Sequence, residues 1–136
     1  MDPDEAQEWL RSWAAGVSER AAAAVALSDR VAKIKTEADG LDGAVRARVD
    51  STGRLIDLEL TESVHEVPAD QLAQEILATV ARAQHHLNAL VAEAVEATVG
   101  RDSETGRAVL DSFAKRFPDP DEERMDAGSS WRPGRR

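Results

Sequence analysis

Residues 43–61 read GAVRARVDSTGRLIDLELT, and the two halves of this stretch share one pattern. Val45, Ala47 and Val49 alternate with Arg46, Arg48 and Asp50, and Ile56, Leu58 and Leu60 alternate with Asp57 and Glu59. A period of two is that of a strand with one apolar and one wet face. Ser51-Thr52-Gly53-Arg54 between them supplies a tight turn, with Gly53 free to take positive φ. A two-stranded hairpin is marginal by itself, so further strands, helices or a second copy must cover its apolar face. Val45, Ala47, Val49, Ile56, Leu58 and Leu60 make up that face.

Upstream, helical spacing runs from about Asp4 to at least Ser28. Asp2, Asp4 and Glu5 suit the positive end of a helix dipole, and Pro3 suits a first turn. Leu10, Trp13, Val17, Ala24, Leu27, Val31 and Ile34 form a seam for another helix, interrupted at Arg20. Trp9 and Trp13, one turn apart, either cap that helical packing or form a binding patch. Ala32, Ile34, Thr36 and Ala38 also alternate with Lys33, Lys35 and Glu37. The turn-rich Asp39-Gly40-Leu41-Asp42-Gly43 that follows favours a first strand over residues 32–38, folded back on the hairpin. A three-stranded antiparallel meander results.

Downstream, Pro68 and Asp70 open a second helix. Leu72, Ile76, Val80, Ala83, Leu87, Leu90 and Ala94 carry it to Val99, where Gly100 stops it. Such a rod is about 48 Å long at 1.5 Å per residue, against about 25 Å for the strands. Both helices are thus expected to overhang the sheet, packed on each other as arms. The expected fold class is α+β, with a helix–sheet–helix domain over residues 1–100. A short amphipathic helix follows within 101–118, with Val109, Leu110, Phe113 and Phe117 on one side. It either docks a partner or folds back over Trp9 and Trp13 or the arms. Residues 119–136 form a charged tail of disordered composition, ending in Trp131-Arg-Pro-Gly-Arg-Arg136.

The order of these pieces, from the Asp39–Gly43 turn through strand Ala44–Asp50, the Gly53 turn, strand Arg54–Leu60 and the second long helix, resembles the YbaB/EbfC family of nucleoid-associated proteins. The likeness covers roughly residues 5–99 and has an actinobacterial style. It implies a homodimer joined through the sheet region, with Val45, Ala47, Val49, Ile56, Leu58 and Leu60 as the expected dimer interface and paired helices projecting like tweezers that grip DNA with little regard to sequence. It implies a cytoplasmic, nucleoid-associated location. The chain departs from the family pattern where a glycine-rich run is reduced to Gly40 and Gly43, and where Thr61-Glu62 replaces an Asp-Pro pair.

Charge bears directly on that implication. The formal net charge is -9, and residues 1–99 hold 9 Lys or Arg against 18 Asp or Glu. DNA affinity comes largely from cations that release phosphate counterions, so binding requires a local basic patch. Arg30, Lys33, Lys35, Arg46, Arg48 and Arg54 lie near the sheet and are the expected contacts, with Lys33, Lys35, Arg46 and Arg48 sharing its polar face; the alternative is that these side chains are a solvated face paired with Glu37, Asp57 and Glu59. Arg11, Arg20 and Arg82 on the acidic arms are secondary contacts. A second function class is an acidic dimeric adaptor or chaperone that holds a protein partner, such as a secretion-system component.

Nothing suggests an enzyme, a metal or a cofactor. His85 and His86 are adjacent and so diverge on a helix, and His65 stands alone. Glu93 and Glu96 share a face without a cleft to separate their pKa values. The acidic start, Met1-Asp2-Pro3-Asp4-Glu5, is unlike a signal peptide, and no apolar run approaches bilayer length. No membrane association is expected.

Overall fold

A computed structural model describes residues 2–122. Helix α1 spans Pro3–Ala32, strands β1, β2 and β3 span Lys35–Gly40, Val45–Asp50 and Leu55–Leu60, helix α2 spans Ala69–Ala97 and helix α3 spans Glu104–Arg116. The α+β architecture and its three-stranded antiparallel sheet, in the order β1-β2-β3, agree with the reading of the sequence. Among the described residues no helix is long and apolar enough to cross a membrane.

One boundary is corrected. The first strand does not start at residue 32: α1 continues to Ala32, and the chain closes it with the Lys33 N–H on the Arg30 carbonyl and the Ile34 N–H on the Val31 carbonyl. The three-four spacing therefore wins over the alternating pattern until Val31 and Ile34 have both packed against the core. The strand then begins at Lys35, in the expected phase, with Thr36, Ala38 and Gly40 buried. Asp39 and Gly40 belong to the strand, and the turn is confined to Leu41, Asp42 and Gly43, all at positive φ. Leu41 is an unusual residue for that region, and its side chain packs on the Ala44, Val45 and Val64 cluster.

The β2–β3 hairpin closes with the Asp50 N–H on the Arg54 carbonyl and the Gly53 N–H on the Asp50 carbonyl, Gly53 sitting at φ 86°. A three-residue loop ending in a left-handed glycine is a common hairpin solution. The Asp50 carboxylate binds the loop, accepting from Thr52 Oγ1 at 2.7 Å, Thr52 N at 2.9 Å and Arg54 N at 3.0 Å. The Thr52 hydroxyl above all holds the Asp50 pKa below the usual carboxylate value. A carboxylate depressed in the folded state contributes stability above its unfolded pKa, and that contribution is lost as pH falls through the folded value. The stability gap between the native chain and Asp50→Asn is accordingly expected to narrow as pH falls from about 5 to 3, in urea midpoints measured across that range.

Helix α2 lies across β1 and β2 and scarcely reaches β3. Its Ala83, Leu87, Val91 and Val95, together with Val45, Ala47 and Val49 of β2, are 0% exposed. Gly40 is required at the strand end because a Cβ there would strike Thr79 Oγ1. Thr36 Oγ1, also buried, donates to the Ala83 carbonyl at 2.6 Å and pins β1 to α2. Thr36→Val keeps the volume but leaves that carbonyl short of a partner. A loss of about 1 kcal/mol in unfolding free energy is expected by chemical denaturation.

The arms do not pair as the sequence suggests. Helix α3 folds back along the outer half of α2, where Phe113 joins Val91, Ala94, Val95 and the α1 residue Leu27 in the core. A Ser103 cap starts α3, and the Phe117 carbonyl ends it by accepting from His85 Nδ1 at 3.1 Å and Asn88 Nδ2 at 2.9 Å. Only the inner half of α1 packs. Glu19, Arg20 and Ala23 line one cavity with Thr98, Val99, Ser103 and Thr105, at the turn between α2 and α3. Beyond Glu19, α1 has passed the end of its neighbours. Residues 3–18 project for about 24 Å, and the bland reading of Trp9 and Trp13 as a packing cap is corrected: they are 59% and 58% exposed. The expected tail is only partly described. Residues 120–122 are helical, and the rest of it, 123–136, lies outside the described residues.

Candidate nucleic-acid interface

The outer face of the sheet is built by the wet positions of all three strands. Register places Arg46 between Asp39 and Glu59, and Arg48 between Glu37 and Asp57, with Lys35 opposite Asp50. Each arginine is thus the middle of a rung whose two ends are carboxylates. Arg46 Nε lies 3.0 Å from Asp39 Oδ1 and Arg46 Nη1 lies 3.9 Å from Glu59 Oε2. Arg48 Nε lies 4.0 Å from Glu37 Oε2. The hydrogen bond to Asp39 raises the Arg46 pKa above its already high value. These cations stay charged but are neutralised in place, and cross-strand pairs of opposite charge are a normal device of sheet stability. The face carries more carboxylates than cations: Lys35, Arg46 and Arg48 share it as expected, in the paired arrangement with Glu37, Asp57 and Glu59 that was the alternative to a phosphate-binding patch. Lys33 is not on the sheet at all.

The remaining cations are distributed differently. Arg30 and Lys33 end α1, Lys35 starts β1 opposite Asp50, and Arg54 leaves the hairpin turn that Asp50 organises. The topology brings all four to one end of the molecule, where the α1–β1 corner meets the β2–β3 turn. All four are exposed and without an ion pair among the described residues. Asp50, opposite Lys35, is committed to the loop backbone, and Asp29 stands one turn before Lys33 on α1 without an ion pair to it. Arg116, which the reading of the sequence did not select, arrives at the same end. Its guanidinium stacks 4.6 Å from the Phe113 ring centroid and 5.1 Å from that of Phe117, and the Phe117 ring packs on Gly53. The signal for it was the Lys115-Arg116 pair in the last turn of an amphipathic helix.

The secondary contacts stand apart from this end. Arg11 lies on the projecting, acidic half of α1, and Arg20 lines the cavity beside the α2–α3 turn where that half begins. Arg82 is held at the far end of β1, donating from Nη2 to the Asp39 carbonyl at 3.0 Å and to Thr79 Oγ1 at 3.1 Å. His85 and His86 diverge as expected, His86 Nδ1 reaching the Glu37 carbonyl at 3.1 Å.

The expected dimer interface divides in two. Val45, Ala47 and Val49 lie beneath α2 and are unavailable to a second protomer. Leu58 and Leu60 share their face of the sheet but sit beyond the edge of α2, 37% and 44% exposed. A register irregularity between Arg48 and Val49 sets Ile56 out of the pairing, so Leu55 and not Ile56 stands opposite Val49. Leu55 and Ile56 are 39% and 42% exposed, and Leu77 on the flank of α2 is 66% exposed. Gln84, on the same flank, donates to the Gly53 carbonyl at 2.8 Å, which shows that this side of α2 faces the β3 edge.

A family model described as the YbaB/EbfC DNA-binding family matches residues 11–102. No curated protein matches, and no solved structure matches.

Proposed function

The chain belongs to the YbaB/EbfC DNA-binding family, and from that premise we propose that it is a nucleoid-associated protein whose homodimer binds double-stranded DNA with little sequence preference. The observation that carries the proposal is the group of unpaired cations, Arg30, Lys33, Lys35 and Arg54, at one end of the sheet. They are exposed donors from α1, β1 and the β2–β3 turn, which meet at a corner, the arrangement suited to successive phosphates. Phosphate contact alone carries no sequence information.

The dimer supports the same reading by number. Four cations are few for a chain of this net charge, and a two-fold axis doubles them. The uncovered β3 strip of Leu55, Ile56, Leu58, Leu60 and Leu77 is the natural contact, because an exposed apolar edge strand otherwise invites uncontrolled association.

The test is fluorescence anisotropy of a labelled duplex of mixed sequence against the full chain, at several salt concentrations, with light scattering on the same sample. Binding with a log-log slope of about -7 is expected if eight phosphates are neutralised per dimer. Equal affinity for unrelated duplexes is expected as well. No binding at low salt would refute the proposal.

A further inference from the structure

Helix α3 lies outside residues 11–102, the span that the family model matches, yet its last turn is built into the end of the molecule that carries the unpaired cations. Phe113 packs with Leu27 in the core and faces Val31 across a small cavity, so it meets the last turns of α1. Phe117 sits on Gly53, close enough that a Cβ there would strike its ring. The two rings, tilted at 51° with centroids 5.9 Å apart, therefore bridge from the end of α1, which bears Arg30 and Lys33, to the hairpin turn, which bears Arg54. Arg116 lies over both rings.

That support differs in kind from the one Arg46 and Arg48 receive. An aromatic face attracts a cation without neutralising it, and the Arg116 side chain is exposed and makes no ion pair among the described residues. A guanidinium already held in place loses less freedom when its planar fork of N–H donors meets a phosphate. Its neighbour Lys115 is spent, with Nζ 2.9 Å from Asp111 Oδ2. The acids that follow, Asp119 and Glu122, line a cavity with His85 and Asn88 on the α2 side of the helix end. The Phe117 carbonyl, which would repel a phosphate, is turned to the same two residues.

We propose that Arg116 is a fifth phosphate contact of each protomer, so that α3 extends the nucleic-acid face beyond the span of the family match. The proposal rests on the DNA reading above and changes its count. Ten phosphates per dimer in place of eight move the expected salt slope from about -7 to about -9.

Anisotropy titrations of a mixed-sequence duplex over a salt series test it, on the full chain and on three variants. R116A is expected to lose about 2 from the slope per dimer, and R116K, which keeps the charge, to lose nothing. K115A removes the same charge from a residue already paired with Asp111, and is expected to keep the native slope. One slope for the native chain and R116A would overturn the inference and leave the other four cations as the site. Equal losses in R116A and K115A would overturn it as well, since net charge and not position would then set the affinity. The Gly53 amide resonance, beside the Phe117 ring, is expected to stay in place in R116A. Its displacement there would make Arg116 a support for α3 and not a contact, which also overturns the inference. No binding by the native chain at low salt would refute the DNA reading, and this inference with it.

Discussion

Replacing Lys33, Lys35 and Arg54 together with alanine is expected to reduce the salt slope of DNA binding by about 5 per dimer, while replacing Arg46 and Arg48 together leaves it nearly unchanged. Each phosphate contact contributes about 0.9 to the slope on duplex DNA, and three cations on each of two protomers make six such contacts. The affinity loss near physiological salt should exceed a hundredfold, since a six-contact difference already changes affinity by about 10³ between 50 and 200 mM salt. The two sets differ in their neighbours and not in their charge. Arg46 and Arg48 each lie between two carboxylates in register, so a phosphate arriving there meets repulsion from Asp39, Glu59, Glu37 and Asp57 as well as attraction. Lys33, Lys35 and Arg54 make no ion pair among the described residues, and Asp50, the carboxylate in register with Lys35, is held by the loop backbone. Anisotropy titrations at four or five salt concentrations decide it, and a slope that responds to the strand arginines instead would move the contact to the sheet face. None of the five residues is buried in the core, so both variants should fold.

That contrast also marks what the sequence can and cannot reveal. The period of two in residues 45–60 and the left-handed position at Gly53 are local properties, and both appear in the structure where the pattern puts them. The three-four spacing of α2 is equally local, and its Ala83, Leu87 and Ala94 are core residues. Whether a cation on a strand is free, however, depends on what stands opposite it two strands away. The sequence offers pairing with Glu37, Asp57 and Glu59 as one of two readings, and only the register decides between them. Lys33 was misplaced for a related reason. Residues 32–38 satisfy both a helical and a strand period, and only packing of Val31 and Ile34 against the core decides where the helix ends. The pairing of the arms failed at longer range still. The apolar side of α3 was legible, but that it occupies the outer half of α2 and leaves Trp9 and Trp13 bare follows from the left-handed turn at Gly100 and the fit of Phe113 among Leu27, Val91 and Val95.

The second large effect concerns assembly. Leu58→Glu with Leu60→Glu is expected to convert the dimer to a monomer that still folds, and to halve the salt slope of DNA binding. Both leucines alternate with Asp57 and Glu59 in β3, yet they face the α2 side of the sheet, where α2 stops short of covering them. In a dimer built on this strip, four carboxylates would be driven into one apolar contact. Burying an ionised carboxylate without a partner costs several kcal/mol after relaxation, more than a patch of five apolar side chains per protomer can offset. In the monomer the same substitutions lie on an edge strand at positions already more than a third exposed, so the fold loses little. Light scattering at micromolar concentration reads the mass, and circular dichroism confirms the helices. A chain that remains dimeric with glutamates at 58 and 60 would place the contact elsewhere, and the bare stripe of α1 would be the next surface to mutate. A monomer that binds DNA with the full slope would separate the two halves of the proposal, leaving the cations at the sheet end as a complete site within one chain.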